Sequence, residues 1–308
     1  MIRSASSSPP SIRNLEERLA PRRAAEASGY HGGRGGNPLL VHCNWALTPL
    51  LRFALQIGRL YQRGLQNALN LQVRYHRLSF PNLPAHLDGF RLLQLSDLHI
   101  DGVDGLAEVL CQRLSGLSVD LCVLTGDYRF QVAGSCDGVY PRMRTVLGAV
   151  RSRLGVAGIL GNHDCADMAP ELERLGVRML INENLEVERG FWVTGADEAD
   201  DGVAFRESLR DVPPDAFHLV LVHTPQLYAE ADAAGAALYL CGHTHAGQIC
   251  LPGGRPLILN ARCPREYAGG LWQHGKTVGF TSSGAGCSML PIRYNCLPEI
   301  SVFELIRS

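Results

Sequence analysis

Five short motifs stand in order along the chain: Asp97-Leu98-His99, Gly126-Asp127, Gly161-Asn162-His163-Asp164, His223 and Gly242-His243-Thr244-His245. Their residue types are those that hold metal ions. A first ion could take Asp97, His99 and His245, and a second Asn162, His223 and His243. Asp127 can bridge the two, because a carboxylate carries two oxygens. Mixed imidazole and oxygen donors suit Mn²⁺, Fe or Zn²⁺ better than Mg²⁺ or Ca²⁺, which favour oxygen alone. Two ions about 3.5–4 Å apart clamp the attacking and leaving oxygens of an in-line displacement and lower the pKa of a bound water. That is a device for hydrolysing phosphoesters. Each motif is weak alone, and an isolated His223 after an apolar run reads as a core histidine. It gains meaning from the other four.

Such donors need elements that bring them together. Each motif closes a short apolar run: Arg91–Ser96, Val119–Thr125, Val156–Leu160, Phe217–Val222 and Ala237–Cys241. Runs this short, rich in Val, Ile and Leu and bounded by Gly, read as buried strands. All five motifs then lie at the carboxyl ends of their strands, where open α/β sheets bind ligands. Residues two apart in an extended chain face one side, so Asp97 with His99, and His243 with His245, each present a pair. The glycines give the backbone room to turn. Helices are expected at Val103–Gly116, Tyr140–Leu154 and Pro225–Gly235. Further strands are expected at Phe191–Ala196, Gln248–Leu251, Val278–Ser283 and Ile300–Leu305. Two sheets covered by helices follow.

The motif series resembles the calcineurin-like metallophosphoesterases over roughly residues 77–308. Phe80-Pro81-Asn82-Leu83-Pro84, the stretch Ala246-Gly247-Gln248-Ile249 and the tail Pro291-Ile292-Arg293 are similar to the bacterial YkuE/YaeI-type branch. The resemblance implies a four-layer α-β-β-α sandwich of two mixed sheets, with a dimetal site at the strand ends. It implies Asp97, His99, Asp127, Asn162, His223, His243 and His245 as metal ligands. His163 matches the catalytic histidine that protonates the leaving oxygen or steadies charge on the phosphoryl group. Asp164 is expected to orient His163 through its ring nitrogen; the plainer alternative is a helix N-cap. The branch includes membrane-associated phosphodiesterases and a UDP-diacylglucosamine diphosphatase. The implied activity is therefore a phosphodiesterase or pyrophosphatase on a lipid-linked or nucleotide-linked substrate. A phosphomonoesterase is the alternative, and a non-catalytic scaffold ranks below both.

Two departures carry expectations. The family often has a further carboxylate after the Gly-Asp pair, where this chain has Tyr128-Arg129-Phe130. Arg129 could meet a substrate phosphate, since guanidinium forks suit phosphate oxygens. Arg293, with Arg262 and Arg265, could line the substrate mouth, although solvation is the ordinary role of a surface arginine. The usual glycine after the last histidine is Ala246, which costs little unless a positive φ is required there.

The remaining sequence bounds location and partners. A net charge of -1 gives no sign of general nucleic-acid affinity. Ten scattered cysteines form no C-x-x-C pair and point to a reducing, cytoplasmic compartment. Residues 1–38 are rich in Ser, Pro, Gly and Arg and read as a disordered tail. Twin arginines occur at Arg22-Arg23 without the apolar stretch of an export signal. Residues 39–76 read as one basic amphipathic helix. Arg52, Arg59 and Arg63 lie on a polar stripe, and Leu47, Leu50, Leu51, Ile57, Leu60 and Leu65 fill much of the rest. Such a helix is expected to lie on an anionic membrane surface, peripheral to the inner membrane, or to pack on the catalytic domain. It is interrupted by charge and too short of apolar residues to span a bilayer.

Overall fold

The computed structural model describes residues 14–28, 49, 50, 52–197, 203–259 and 261–308. Its strands are β1 (Gln72–Phe80), β2 (Phe90–Leu95), β3 (Leu121–Leu124), β4 (Val156–Gly158), β5 (Val177–Met179), β6 (Glu183–Glu188), β7 (Phe191–Gly195), β8 (Phe217–Leu221), β9 (Leu238–Cys241), a short hairpin of β10 (Cys250–Leu251) and β11 (Arg255–Pro256), then β12 (Gly270–His274), β13 (Thr277–Thr281) and β14 (Glu299–Arg307). One six-stranded sheet runs β1-β14-β2-β3-β4-β5, the other β12-β13-β9-β8-β7-β6. Strands β2 to β5 are parallel, as are β7, β8, β9 and β13. β14 runs antiparallel to β2, and β12 and β6 antiparallel to their neighbours, so both sheets are mixed.

The strands that carry the motifs are apolar on both faces, as buried parallel strands must be. Leu92, Leu121, Val123, Phe217, Leu219, Leu221, Leu238 and Leu240 turn inward and fill the layer between the two sheets. Leu93, Leu95, Cys122 and Leu124 turn outward, beneath helices α3 (Leu106–Leu114), α4 (Val139–Ala149) and α5 (Met168–Arg174). Val220, Tyr239 and Cys241 turn outward on the second sheet, against Phe205 of α6 (Val203–Ser208) and Ala231 of α7 (Tyr228–Ala233). The result is the expected four-layer α-β-β-α sandwich.

The N-terminal half departs from expectation in three places. Within the stretch expected to be a coreless tail, Leu15–Ala27 forms helix α1, with Leu19 and Arg22 buried. Asn14 and Glu17 cap it reciprocally: the Asn14 side chain accepts from the Glu17 N–H at 2.9 Å, and the Glu17 carboxylate from the Asn14 N–H at 3.2 Å. The single long helix over 39–76 is broken. Helical residues at 52–57 end at Gly58 and Arg59, whose φ is 55°, before α2 (Tyr61–Leu69). Gln72–His76, assigned to that helix, instead begin β1, an edge strand paired to β14. Residues 29–48, including Trp45, lie outside the described residues. Tyr61 and Leu65 of α2 pack on Leu290 and Ile292, so this face is covered by the chain itself. Phe53, Ile57 and Leu60 stay exposed. Among the described residues no helix is long and apolar enough to cross a membrane.

Candidate active site

The five motifs meet at one edge of the sandwich, just beyond β2, β3, β4, β8 and β9. Asp97, His99, Asp127, His223 and His245 are buried, while Asn162, His163 and His243 are half-buried at the open side. Three overlapping groups have ligand atoms within 4.8 Å of one another: Asp97-His99-His245, His99-Asp127-His163 and Asp97-Asp127-His223. Asp127 Oδ2 lies 3.5 Å from His99 Nε2, 3.3 Å from His223 Nε2 and 4.0 Å from His163 Nε2. It therefore occupies the central place expected of a bridging carboxylate. His245 Nε2 is 3.6 Å from Asp97 Oδ1. The Asn162 side-chain oxygen sits 3.1 Å from His223 Nε2 and 2.7 Å from His243 Nδ1. All seven expected ligands are thus brought together.

The rings are aimed from behind. His99 Nδ1 lies 2.7 Å from the Arg129 carbonyl, His223 Nδ1 2.7 Å from the Thr125 carbonyl and His163 Nδ1 2.7 Å from the Phe130 carbonyl. A carbonyl only accepts, so each Nδ1 carries the proton and each Nε2 faces the cluster. His99 Nε2 and His245 Nε2 face each other at 3.2 Å. Imidazole nitrogens and carboxylate oxygens converging within 4.8 Å of one another are the donor set a cation fits.

The electrostatics agree. Burial pushes His99 down to about 3 and His245 well below its ordinary value, so both stay neutral, as metal ligands must. Burial also acts against charge on Asp127, but the adjoining His223 and His163 outweigh it and hold its carboxyl well below the usual range. Asp97 is raised to about 7, first by burial and also by repulsion from Asp127. Two carboxylates so close share a site that calls for positive charge.

The backbone is bent to make this cluster. Asp97, His99, Asp127, His243 and His245 all have positive φ, between 37° and 69°. Left-handed conformations at non-glycine residues gather at functional sites, where surrounding packing holds them. A Cβ on Gly242 would collide with Asp97 Oδ2 and Ser96 Oγ, and one on Gly126 would come within 2.9 Å of His223 Nδ1. These glycines let neighbouring loops approach the donors. Ala246 also takes a positive φ, 47°, so its replacement of glycine is a strained one.

Three expectations need correction. Asp164 does not touch the His163 ring. Its carboxylate accepts the N–H groups of Asp127, Gly161 and Tyr128, each at 2.8 Å. Nor is it a helix cap, since α5 begins after Asp167. Arg129 is not free for a phosphate: it is buried, and its guanidinium donates to the carbonyls of His163, Val132 (2.6 Å) and Gly134 (3.1 Å). Arg293 is fully buried and donates to the carbonyls of Ser283 (2.6 Å), Gly284 (3.1 Å) and Gly286 (2.5 Å). Its Nη2 lies 3.1 Å from His245 Nδ1, on the side of the ring away from the other donors. Both arginines shape loops behind the site.

Sequence reasoning missed Ser96, whose hydroxyl donates to Asp97 Oδ2 at 2.5 Å. It adjoins the first motif, and its position was the available signal. It also missed Arg22, whose contacts come from chain more than a hundred residues away and left no local signal.

The sequence profile of the calcineurin-like phosphoesterases matches residues 90–247, which include all five motifs. The chain belongs to this family. It is a metal-dependent phosphoester hydrolase by family and by donor set. It is 28% identical to the Bacillus subtilis metallophosphoesterase YkuE over 80% of this chain and 88% of that one. It is 28% identical to the Escherichia coli phosphodiesterase YaeI over 75% of this chain and 87% of that one. A shorter stretch, 30% of this chain and 29% of the relative, is 36% identical to the Chlamydia trachomatis UDP-2,3-diacylglucosamine pyrophosphatase LpxG.

Proposed function

We propose that this protein is a dimetal phosphodiesterase or pyrophosphatase whose substrate is lipid-linked or nucleotide-linked, of the UDP-diacylglucosamine kind. The observation that carries the reading is the convergence of Asp127 and six further donors at the strand ends. Asp97, His99 and His245 would hold one ion, and Asn162, His223 and His243 a second, with Asp127 between them. Mn, Fe or Zn suits this mixture of imidazole and oxygen. When bound, the ions supply Lewis acidity and a water that loses its proton near neutral pH. The chain's own groups do the rest. The Phe130 carbonyl fixes the Nδ1 proton of His163, so Nε2 is the end presented to substrate. From there a protonated His163 gives its proton to the leaving oxygen. The half-buried setting of Asn162, His163 and His243 leaves that side open to a phosphoester.

The names of YaeI and LpxG favour a diester or pyrophosphate bond over a monoester. Exposed Phe53, Ile57 and Leu60 beside Arg52, Arg59 and Arg63 favour contact with an anionic membrane surface from the cytoplasmic side. Sedimentation of the full chain with anionic vesicles tests this contact. Binding that drops in Phe53→Ser/Ile57→Ser supports it, and binding that is absent or unchanged in the variant removes it.

Metal-stripped protein refilled with Mn²⁺ and assayed on bis-p-nitrophenyl phosphate, p-nitrophenyl phosphate and a UDP-linked acylated sugar tests the activity. Turnover of the diester or the UDP-sugar supports the proposal. Turnover of the monoester alone replaces it with a phosphomonoesterase, and no turnover with any metal replaces it with a scaffold.

A further inference from the structure

Helix α1 lies outside the stretch that the family profile matches, yet one of its side chains reaches the back of the active site. A free helix of 13 residues is marginal in water, so α1 depends on what it docks against. Leu19 is fully buried in the core outside the first sheet. Arg18 pairs with Glu183 at 2.5 Å, Arg23 with Asp167 at 2.5 Å, and the Glu26 carboxylate accepts the Ala166 N–H at 2.8 Å. Between these contacts Arg22 points inward and is almost wholly buried.

The Arg22 guanidinium does two things at once. Toward the end of β7 it forks onto the Asp197 carboxylate, with Nε at 2.9 Å and Nη2 at 2.7 Å from Oδ1. Toward the loop after β4, Nη1 donates to the carbonyls of Gly161 at 3.1 Å and Asp164 at 2.7 Å. Nη2 adds a second contact to the Gly161 carbonyl at 3.1 Å. Gly161 and Asp164 are the residues on either side of Asn162 and His163. The arginine thus grips both ends of the two-residue unit that carries an expected ligand and the expected proton donor. A planar fork can hold a carboxylate and two carbonyls in one fixed geometry; an ammonium on a flexible stem cannot.

We propose that Arg22 is a positioning residue for the Asn162-His163 unit, so that the N-terminal helix completes a catalytic site otherwise built from residues 97–245. The inference rests on the hydrolytic reading of that site. The loop has a second tether, since the Asp164 carboxylate holds the Asp127, Tyr128 and Gly161 N–H groups independently of Arg22. Loss of the arginine therefore loosens the aim of Asn162 and His163 without freeing the loop. Groups that orient a ligand from behind alter metal affinity by roughly 10–100-fold when removed.

The test is a Co²⁺ titration of the metal-stripped full-length chain, followed by visible absorption, in parent, Arg22→Gln and Arg22→Lys. Arg22→Lys keeps a positive charge beside Asp197 and covers the case in which Arg22→Gln fails to fold. Arg18→Ala loosens α1 at a point that does not touch the loop. The expected result is a second ion bound about 10–100-fold more weakly in both Arg22 variants, with the first ion unchanged and Arg18→Ala like the parent. Turnover of bis-p-nitrophenyl phosphate should fall in kcat with little change in KM. Equal Co²⁺ isotherms for parent and Arg22 variants would overturn the proposal, as would an equal loss in Arg18→Ala. If the parent hydrolyses no phosphoester, the hydrolase reading fails, and the Co²⁺ isotherms still decide the role of Arg22.

Discussion

The carboxylate of Asp164 receives the backbone N–H of Asp127 at 2.8 Å, so the loop after β4 holds the loop after β3 in place. The same carboxylate accepts from Tyr128 and Gly161. An amide at this position has one accepting oxygen, and its NH₂ would face at least one of these donors. Asp164→Asn should therefore lose about 2–3 kcal/mol of stability and lower kcat together with it. Urea unfolding of the apo and metal-loaded protein checks this. A variant as stable as the parent would show that the three N–H groups find other partners.

His163 is separable from the proposed ligands. Its Nε2 is 4.0 Å from Asp127 Oδ2, farther than those of His99 and His223, and its side chain is 12% exposed where theirs are fully buried. His163→Ala should cost roughly 10²–10⁴-fold in kcat, the range for a lost proton donor, with bound metal unchanged by elemental analysis. Loss of an ion along with activity would make His163 a ligand instead.

Ala246 sits at φ 47°. A left-handed alanine costs about 1–2 kcal/mol, and a glycine there gives back about 0.4–1 kcal/mol through its freer unfolded chain. Ala246→Gly should stabilise the protein by roughly 0.5–1 kcal/mol, the difference between those figures. Calorimetry of the variant would show a higher Tm; a lower one would mean the Ala246 methyl group contributes packing that outweighs the strain.

The strands that carry the motifs were legible because their runs are largely apolar on both faces and end in chemically distinctive residues. β1 was not, and its sequence shows why. Val73 and Tyr75 suggest one phase of alternation, Leu78 and Phe80 the other, and Tyr75 is in fact exposed. An edge strand paired on one side tolerates such a slip, so a period-two reading fails on it. The seven donors that the fold brings together could be read from residue type and order. The roles of Asp164, Arg129 and Arg293 could not, because each is decided by which backbone carbonyl or N–H lies nearby, and residue types do not encode that. Arg22 sat in a stretch whose overall composition hid the Asn14-Glu17 cap.

His218 gives the fold an acid-sensitive point away from the metal cluster. It is buried on β8, its Nε2 lies 2.8 Å from the Thr194 hydroxyl, and burial lowers its pKa from 6.5 to about 4. The unfolded chain binds this proton more readily, so the contribution to stability is full above pH 6.5 and is lost as pH falls toward 4. The loss amounts to about 3 kcal/mol. His218→Gln should flatten that part of the stability profile between pH 6.5 and 4, measured by urea midpoints at each pH. An unchanged slope would place the acid sensitivity elsewhere.

β14 lies between β1 and β2 in the first sheet, although more than two hundred residues separate it from either in sequence. During synthesis the edge of β2 therefore waits, unpaired, until residues 299–307 leave the ribosome. Sheets closed by such distant segments fold slowly, because loop-closure entropy is spent before the contacts form. In the interval the hydrogen-bonding edges of β1 and β2 are open to strands of other chains. Refolding yield should accordingly fall with protein concentration more steeply than equilibrium stability would suggest, and chaperone capture during translation is the natural remedy.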